Sequence, residues 1–260
     1  MKNLTDIIAP IATEMARFEA FFAQTLKADT EPMDSIMRYA LETKGKRLRP
    51  ILVLLGAKLF GEVNAQTQRA AAFVEMVHTA TLIHDDVVDD SDQRRSKASV
   101  KARFGNLSAV LAGDYLLAKA MLLLSQPGDH AILQEMLRTT AAMSEGELKQ
   151  YASAELRSAE AYCDIITRKT ALLMKSCCVS GALSVNATSE QVEKISDFGL
   201  NFGILFQLRD DLLDGENTEM AQALLPQYLK QSLKALEGFP PMETLATLRD
   251  LTVFCAERTA

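Results

Sequence analysis

"RAAAFVEMVHTATLIHDD", residues 69–86, is apolar nearly all the way round and shows none of the strict alternation of a half-buried strand. It reads as a central helix, buried on every face. Upstream, "LTDIIAPIATEMARFEAFFAQTL" (4–26) repeats apolar residues at three and four spacing, which also reads as helix. Breaks are expected at Glu31–Pro32, Arg49–Pro50, Gln126–Pro127–Gly128, around Asn186, and at Phe239–Pro240–Pro241. No repeat, linker or low-complexity segment interrupts the pattern. The fold class expected is an all-α helical bundle, with residues 1–260 forming a single domain.

Composition narrows the function. With 260 residues, 48% of them hydrophobic, the chain can enclose one large core. The 28 Lys and Arg against 34 Asp and Glu give a net charge of −6, without a basic tail, so nucleic acid is not an expected partner. Cys163, Cys177, Cys178 and Cys255 lack CxxC or Cys/His ligand spacing and read as reduced core thiols. The start "MKNLTDIIAPIATEMARF" has no signal-peptide character, and no run of eighteen uninterrupted apolar residues suggests a transmembrane segment. A cytoplasmic protein is expected.

The central helix runs straight into acid. In "TLIHDDVVDDSDQRR" (81–95), Asp85, Asp86, Asp89 and Asp90 occupy four of six positions. Asp85 and Asp89 are four apart, so on a helix they share a face about 6 Å apart along the axis. At a helix C-terminus each acid is unfavourable by roughly 0.3–1 kcal/mol, and the like-charge pair by about 0.2–0.5 kcal/mol more. Something cationic must offset this. The pattern recurs in "FGLNFGILFQLRDDLLD" (198–214), with Asp210, Asp211 and Asp214. For sixteen aspartates in this length, chance predicts about 0.06 copies of DDxxD, so two copies are not accidental. Two carboxylate clusters make an oxygen-only site for a hard divalent ion, and Mg²⁺, which keeps water and phosphate oxygens in its shell, fits best. A di-iron bundle would need paired Glu-x-x-His motifs, which are missing.

Cations suited to phosphate lie in three other places. Arg94 and Arg95 follow the first cluster, "GKRLRP" (45–50) offers Lys46, Arg47 and Arg49, and "RKTA" (168–171) offers Arg168, Lys169 and Thr170. Each alone would read as a surface cation. Together with the aspartates they describe a diphosphate site.

In their order and spacing, "GKRLRP", "DDVVDDSDQRR", "KT" (169–170) and "FQLRDDLLD" (206–214) resemble the motifs of the trans-polyprenyl diphosphate synthases, in particular the long-chain octaprenyl, solanesyl and decaprenyl type. The resemblance implies an isoprenoid-synthase helical bundle with a central active-site cavity. It also implies Mg²⁺-dependent condensation of isopentenyl diphosphate with an allylic diphosphate, three ions per site, and a homodimer. By the same resemblance, Asp85, Asp89 and Asp210 are the metal ligands, supported by Asp86, Asp211 and Asp214. Arg94, Lys169, Thr170 and Gln207 match the allylic diphosphate contacts. Gly45, Lys46, Arg49, His78 and Arg95 match the isopentenyl diphosphate site. A lone histidine on a buried helix also fits a core role, and it is the position of His78, two turns before the aspartates, that brings it to the site. His84 reads as structural.

Two rivals stand beside this reading. A terpene cyclase usually replaces the second DDxxD by an Asn/Ser/Glu pattern, and a non-catalytic subunit of a heteromeric synthase generally loses the aspartates. Both clusters are intact here. The chain departs from the family in two places. After RR the family favours Gly, Pro and Thr, whereas "RRSKASVKARFGN" has none of these in the expected positions, and a looser loop is expected. After Asp214 a lysine-bearing segment of a few dozen residues is missing, so Asp214 and Gly215 are expected not to be neighbours in the intact protein.

Two further expectations concern size. The growing tail should run along the face of the Asp85 helix past Ala80 and Thr81, whose small side chains imply a product longer than farnesyl. The helix from Asn106, "NLSAVLAGDYLLAKAMLLL", is apolar beyond one stripe, as a helix facing both its own core and a partner would be.

Overall fold

In a computed structural model of the chain, the residues described are 2–42, 45–152 and 158–259. A short helix α1 (Leu4–Ile7) and a 3-10 turn lead into α2 (Ala12–Thr25), α3 (Glu31–Glu42), α4 (Leu48–Lys58) and α5 (Ala65–Val88). A hairpin of β1 (Gln93–Arg94) and β2 (Lys97–Ala98) follows, then α6 (Val100–Phe104), α7 (Asn106–Leu123), α8 (His130–Ala152) and α9 (Ala159–Ile166). A π-helical turn, Thr167–Ala171, opens into α10 (Leu172–Ser184), and α11 (Ser189–Asp214), α12 (Thr218–Ala235) and α13 (Glu243–Glu257) complete the chain. The expected all-α fold is the one the chain adopts.

Residues 69–86 lie in one uninterrupted helix, α5, started by a capping box in which Asn64 and Thr67 satisfy each other's backbone N–H groups. Its apolar circumference is explained by its neighbours. α4, α7 and α10 all pack on it, so Ala70, Ala71, Ala72, Phe73, Val74, Met76 and Val77 are fully buried. The first turns of α5 are tied to the loop before α8 by the fork of Arg69 on the buried Asp129, at 2.7 and 2.9 Å. α10 bridges α4 and α11, and α12 lies along α11. A second, smaller core between α9, α11 and α12 holds Tyr162, Ile166, Ile204 and Leu208.

Most of the expected breaks fall where they should. Pro32 sits in the first turn of α3, Gly128 and Asn186 turn with positive φ, and Gly238 precedes the paired prolines. The break at Arg49–Pro50 lies two residues earlier than expected. Arg47, with φ 54°, starts α4, and Pro50 stands in the first turn, where its missing N–H costs nothing. The segment after Arg94 is likewise not a loose loop. Arg95 and Ser96, at φ 51° and 64°, form the two-residue turn of an antiparallel hairpin, both in the left-handed region that such turns demand.

α11 is started by the capping box of Thr188 and Gln191 and ends at Asp214. The backbone continues through Gly215, at φ 77°, and Glu216 N–H donates to Asp211 O at 2.8 Å, closing the last turn. α7 is long and apolar enough to cross a membrane by length and composition, but it carries Asp114 and Lys119 and packs one face along α5. Its other face exposes Leu107, Val110, Leu111, Met121 and Leu122. Cys177, Cys178 and Cys255 are buried free thiols, and burial pushes Cys178 and Cys255 up to about 12.

Candidate active site

Helix ends converge at one end of the bundle. The C-termini of α5, α8 and α11 carry the acids, the N-terminus of α4 carries one set of cations, and Lys169 stands on the π turn inside the continuous helical run from Ala159 to Ser184. Asp89 caps α5, its N–H donating to Asp85 O at 2.8 Å. Asp86 is buried, and its Oδ1 accepts both Nη2 and Nε of Arg94, at 2.5 and 2.9 Å. That pair fixes the first arginine of the hairpin. Asp90 turns away, at φ 53°, to Lys101 at 2.5 Å. Of the four acids Asp85 is the one left costly: burial above all, and then the nearby Glu147, push its carboxyl up to about 6.

The π turn presents Lys169 and Thr170 together. Gly146 and Gly203 clamp it on two sides. A Cβ on Gly146 would stand 2.6 Å from Arg168 Cβ, and one on Gly203 would stand 2.5 Å from Ala171 Cα. Lys169 Nζ rests on Glu147 Oε2 at 2.9 Å and Gln150 Oε1 at 3.2 Å. Thr170 donates to Gln207 Oε1 at 2.7 Å, Gln207 Nε2 to Asp211 Oδ1 at 2.7 Å, and Tyr162 OH to Asp211 Oδ2 at 2.5 Å. Burial and the Asp211 carboxylate hold the Tyr162 hydroxyl protonated. Arg168, a candidate from the sequence, instead pairs at the surface with Asp164 and Glu145.

Between α4 and α11 lies a cavity of about 560 Å³, walled by Lys46, Arg49, His78 and Arg95 on one side and by Asp210 and Arg258 on the other. Gly45 lets Arg95 approach, since a Cβ there would stand 2.7 Å from its guanidinium nitrogens. Arg49 Nε is buried without a hydrogen-bond partner, an orphan donor in a cavity rich in positive charge. Burial first, and then the surrounding guanidinium groups of Arg49, Arg95, Arg94 and Arg47, hold His78 well below its usual range, so it is neutral at pH 7. Asp210 pairs with Arg258 at 2.5 Å, and Arg258 also lies 4.5 Å from the Phe206 ring centroid. Asp214 is exposed at the end of α11.

Of the residues expected from the sequence, Thr170, Gln207 and Asp211 are joined in one hydrogen-bond chain, Asp86 and Arg94 line a smaller cavity, and Gly45, Lys46, Arg49, His78, Arg95 and Asp210 line the larger one. Ala80 and Thr81 stand away from its rim, Ala80 fully buried and Thr81 Oγ1 donating to His78 O at 2.9 Å. His84 packs on Gly113 of α7 and reaches Val110 O at 3.2 Å, as a structural residue would. The sequence reading missed Glu75, Glu147, Gln150, Tyr162 and Arg258. Among the described residues no group of three acid, His or Cys side chains is close enough to hold an ion alone. The donors available are carboxylate oxygens on two separate helix ends, which fits an octahedral ion whose shell is completed by water and phosphate oxygens.

A family model described as polyprenyl synthetase matches residues 30–222. The chain is 35% identical over 214 residues to the octaprenyl diphosphate synthase of Escherichia coli K12, covering 82% of this chain and 66% of that one. It is 36% identical over 212 residues to the all-trans-nonaprenyl-diphosphate synthase of Rhodobacter capsulatus, covering 80% and 65%. The chain therefore spans about two-thirds of the length of these relatives. Among solved structures it is similar to a polyprenyl synthase from Caulobacter crescentus complexed with calcium and isoprenyl diphosphate, with a TM-score of 0.93 and 28% identity over 99% of this chain and 98% of that one. A decaprenyl diphosphate synthase from Rhodobacter capsulatus gives 0.89 and 26%, over 99% and 100%.

Proposed function

Because the chain belongs to the polyprenyl synthetase family, we propose that it joins isopentenyl diphosphate to an allylic diphosphate and makes a trans-polyprenyl diphosphate longer than farnesyl. The observation that carries this reading is a cavity whose cationic wall of Lys46, Arg49 and Arg95 faces Asp210 of the second aspartate cluster, with Asp86 of the first lining the smaller cavity beside it. Lys46, Arg49, Arg95 and His78 hold the isopentenyl diphosphate. Arg94, Lys169, Thr170 and Gln207 hold the allylic diphosphate. Asp85, Asp89 and Asp210 would hold Mg²⁺, three ions per site, which when bound supplies the positive charge that stabilises the departing diphosphate.

In the reaction the allylic C–O bond breaks and the electron pair leaves with diphosphate. The isopentenyl double bond forms the new C–C bond to the cation, and a proton leaves the adjacent carbon for the diphosphate. Cations that grip the leaving group do most where its charge is largest, in the transition state. Lys169 is held by Glu147 and Gln150, so it is already oriented before substrate arrives.

Relatives whose names specify eight to ten prenyl units support a long product, and the small Ala80 and Thr81 agree with it. The exposed apolar face of α7 supports a homodimer, and the composition supports a cytoplasmic enzyme. One observation favours a second reading, a weakly active or non-catalytic subunit: the run from Asp214 directly into Gly215, without the lysine-bearing segment. Incubation with isopentenyl diphosphate, a short allylic primer and Mg²⁺, followed by sizing of the products, separates the two. Long polyprenyl products are expected, and none from either a ten-carbon or a fifteen-carbon primer would leave only the second reading.

A further inference from the structure

Arg47, Arg49 and Arg95 all line the cavity, and in Arg47, between Lys46 and Arg49 in sequence, the guanidinium is already taken by carboxylates. Its Nη1 donates to Glu75 Oε1 at 2.5 Å and its Nε to Glu19 Oε1 at 2.9 Å, and its Cζ lies 5.2 Å from the Phe22 ring centroid. The side chain is only 10% exposed. Its backbone holds φ 54° at the residue that starts α4, a conformation a non-glycine residue keeps only where its surroundings enforce it.

Glu75 completes the picture. It is a charged residue in the midst of the buried apolar run Ala70–Val77 of α5, 5% exposed, and it lines the 560 Å³ cavity and the smaller one beside it. It is the carboxylate against which the turn between Lys46 and Arg49 is anchored, with Glu19 of α2 closing the other side of the fork. A buried pair of this kind is poor evidence of net stability, because desolvation offsets most of the attraction. Its use is geometric.

We propose that Arg47 is a positioning residue and that Glu75 and Glu19 clamp it so that Lys46 and Arg49 are held at the diphosphate. This rests on the reading of Lys46, Arg49, His78 and Arg95 as the isopentenyl diphosphate site. Arg47 as a phosphate ligand is the competing role, and the two roles predict opposite signs for one substitution. If Arg47 gripped phosphate, Glu75→Gln would release it toward substrate and remove a negative charge, lowering KM for isopentenyl diphosphate. If Arg47 is the anchor, the same change loosens the turn and raises that KM.

The test is steady-state kinetics of wild type, Glu75→Gln, Arg47→Lys and Arg47→Met with each substrate varied in turn, alongside circular dichroism and thermal melting. Glu75→Gln is expected to raise KM for isopentenyl diphosphate about tenfold, the scale of a small displacement of binding groups, while KM for the allylic substrate stays within about twofold. Arg47→Lys should not rescue, since an ammonium cannot fork between two carboxylates. Should the Arg47 variants fail to fold, Glu19→Gln, at the more exposed end of the clamp, is expected to shift the same constant in the same direction by less. A KM for isopentenyl diphosphate that is unchanged or lower in Glu75→Gln, or equal rises for both substrates, overturns the proposal. A wild-type protein that condenses no substrate pair fails the reading of the site instead.

Discussion

Asp85 has a carboxyl pushed up to about 6 by burial and by Glu147, and the sign of that shift fixes how the protein should respond to pH. The folded state binds this proton more tightly than the unfolded chain, whose aspartate titrates near 4. The cost of burying the charged form is therefore absent below about pH 4, grows between pH 4 and 6, and is complete above pH 6. In metal-free protein at pH 8, Asp85→Asn is expected to raise Tm by a few degrees, at about 2–4 °C for each kcal/mol, and the gain should vanish toward pH 4. Added Mg²⁺ should stabilise the wild type and not the variant. A variant less stable than wild type at pH 8 would contradict the assignment. For turnover the direction reverses: Asp85→Ala or Asp210→Ala should cost about 100-fold or more with the helical fold retained, and Arg94→Lys less. The two aspartate motifs were legible because each is a local cluster that chance does not produce, and the KT pair and GKRLRP, bland when taken singly, were legible beside them. Their partners were not. Glu147 meets Lys169 across 22 positions and Arg258 meets Asp210 across 48, and pairings at that range follow from the packing of helices, which no local pattern encodes. Glu75 did leave a signal, a lone acid inside an apolar helix.

At the scale of the element, the helices were readable from periodicity and the departures from helix were not. The π turn at Thr167–Ala171 has the sequence of an ordinary helix, and it lies where Gly146 of α8 and Gly203 of α11 approach closely, a long-range contact that no local pattern encodes. The hairpin after Asp89 was missed because Ser96 stands where glycine would announce a turn. At φ 64° serine bears a left-handed backbone that costs roughly 1 kcal/mol, so Ser96→Gly should stabilise the protein by a few tenths of a kcal/mol up to about 1, less the extra entropy of the unfolded glycine. Chemical denaturation with an unchanged slope would register it, and a loss of stability would show that the serine side chain holds the turn. On α5, Ala80 offers a test of another kind. It is fully buried on the helix that leads to Asp85, so Ala80→Phe is expected to shorten the product by several prenyl units if the tail passes there. Overpacking alone would cost about 1–3 kcal/mol, so a less stable variant that makes products of unchanged length would put the tail elsewhere.

For the whole molecule, two properties depend on surfaces and joins rather than on single residues. Leu107 and Leu122, 75% and 69% exposed at opposite ends of α7, extend an apolar face too long for a helix meant for water. Light scattering at micromolar concentration is expected to give about twice the chain mass, and a monomer would leave that face unexplained. The join at Asp214–Gly215 decides more. As given, α11 closes well on itself: Gly215 takes the left-handed cap and Glu216 N–H satisfies Asp211 O. Nothing about that stop is strained. The proposed reaction forms a cation that needs a cover from water, and Arg258, seated on Asp210 and against Phe206, stands at one side of the cavity. The octaprenyl and nonaprenyl relatives, 66% and 65% of which align over 214 and 212 residues, are about a quarter longer than this chain of 260, and the segment expected after Asp214 would account for part of the difference. The intact mass is therefore expected to exceed 28.6 kDa by several kDa, and a peptide map should find Asp214 and Gly215 in different peptides separated by new sequence. A mass of 28.6 kDa with one peptide spanning the join would make this a shortened member. Its allylic substrate would then be held without the closing segment, and hydrolysis of the primer should compete with elongation.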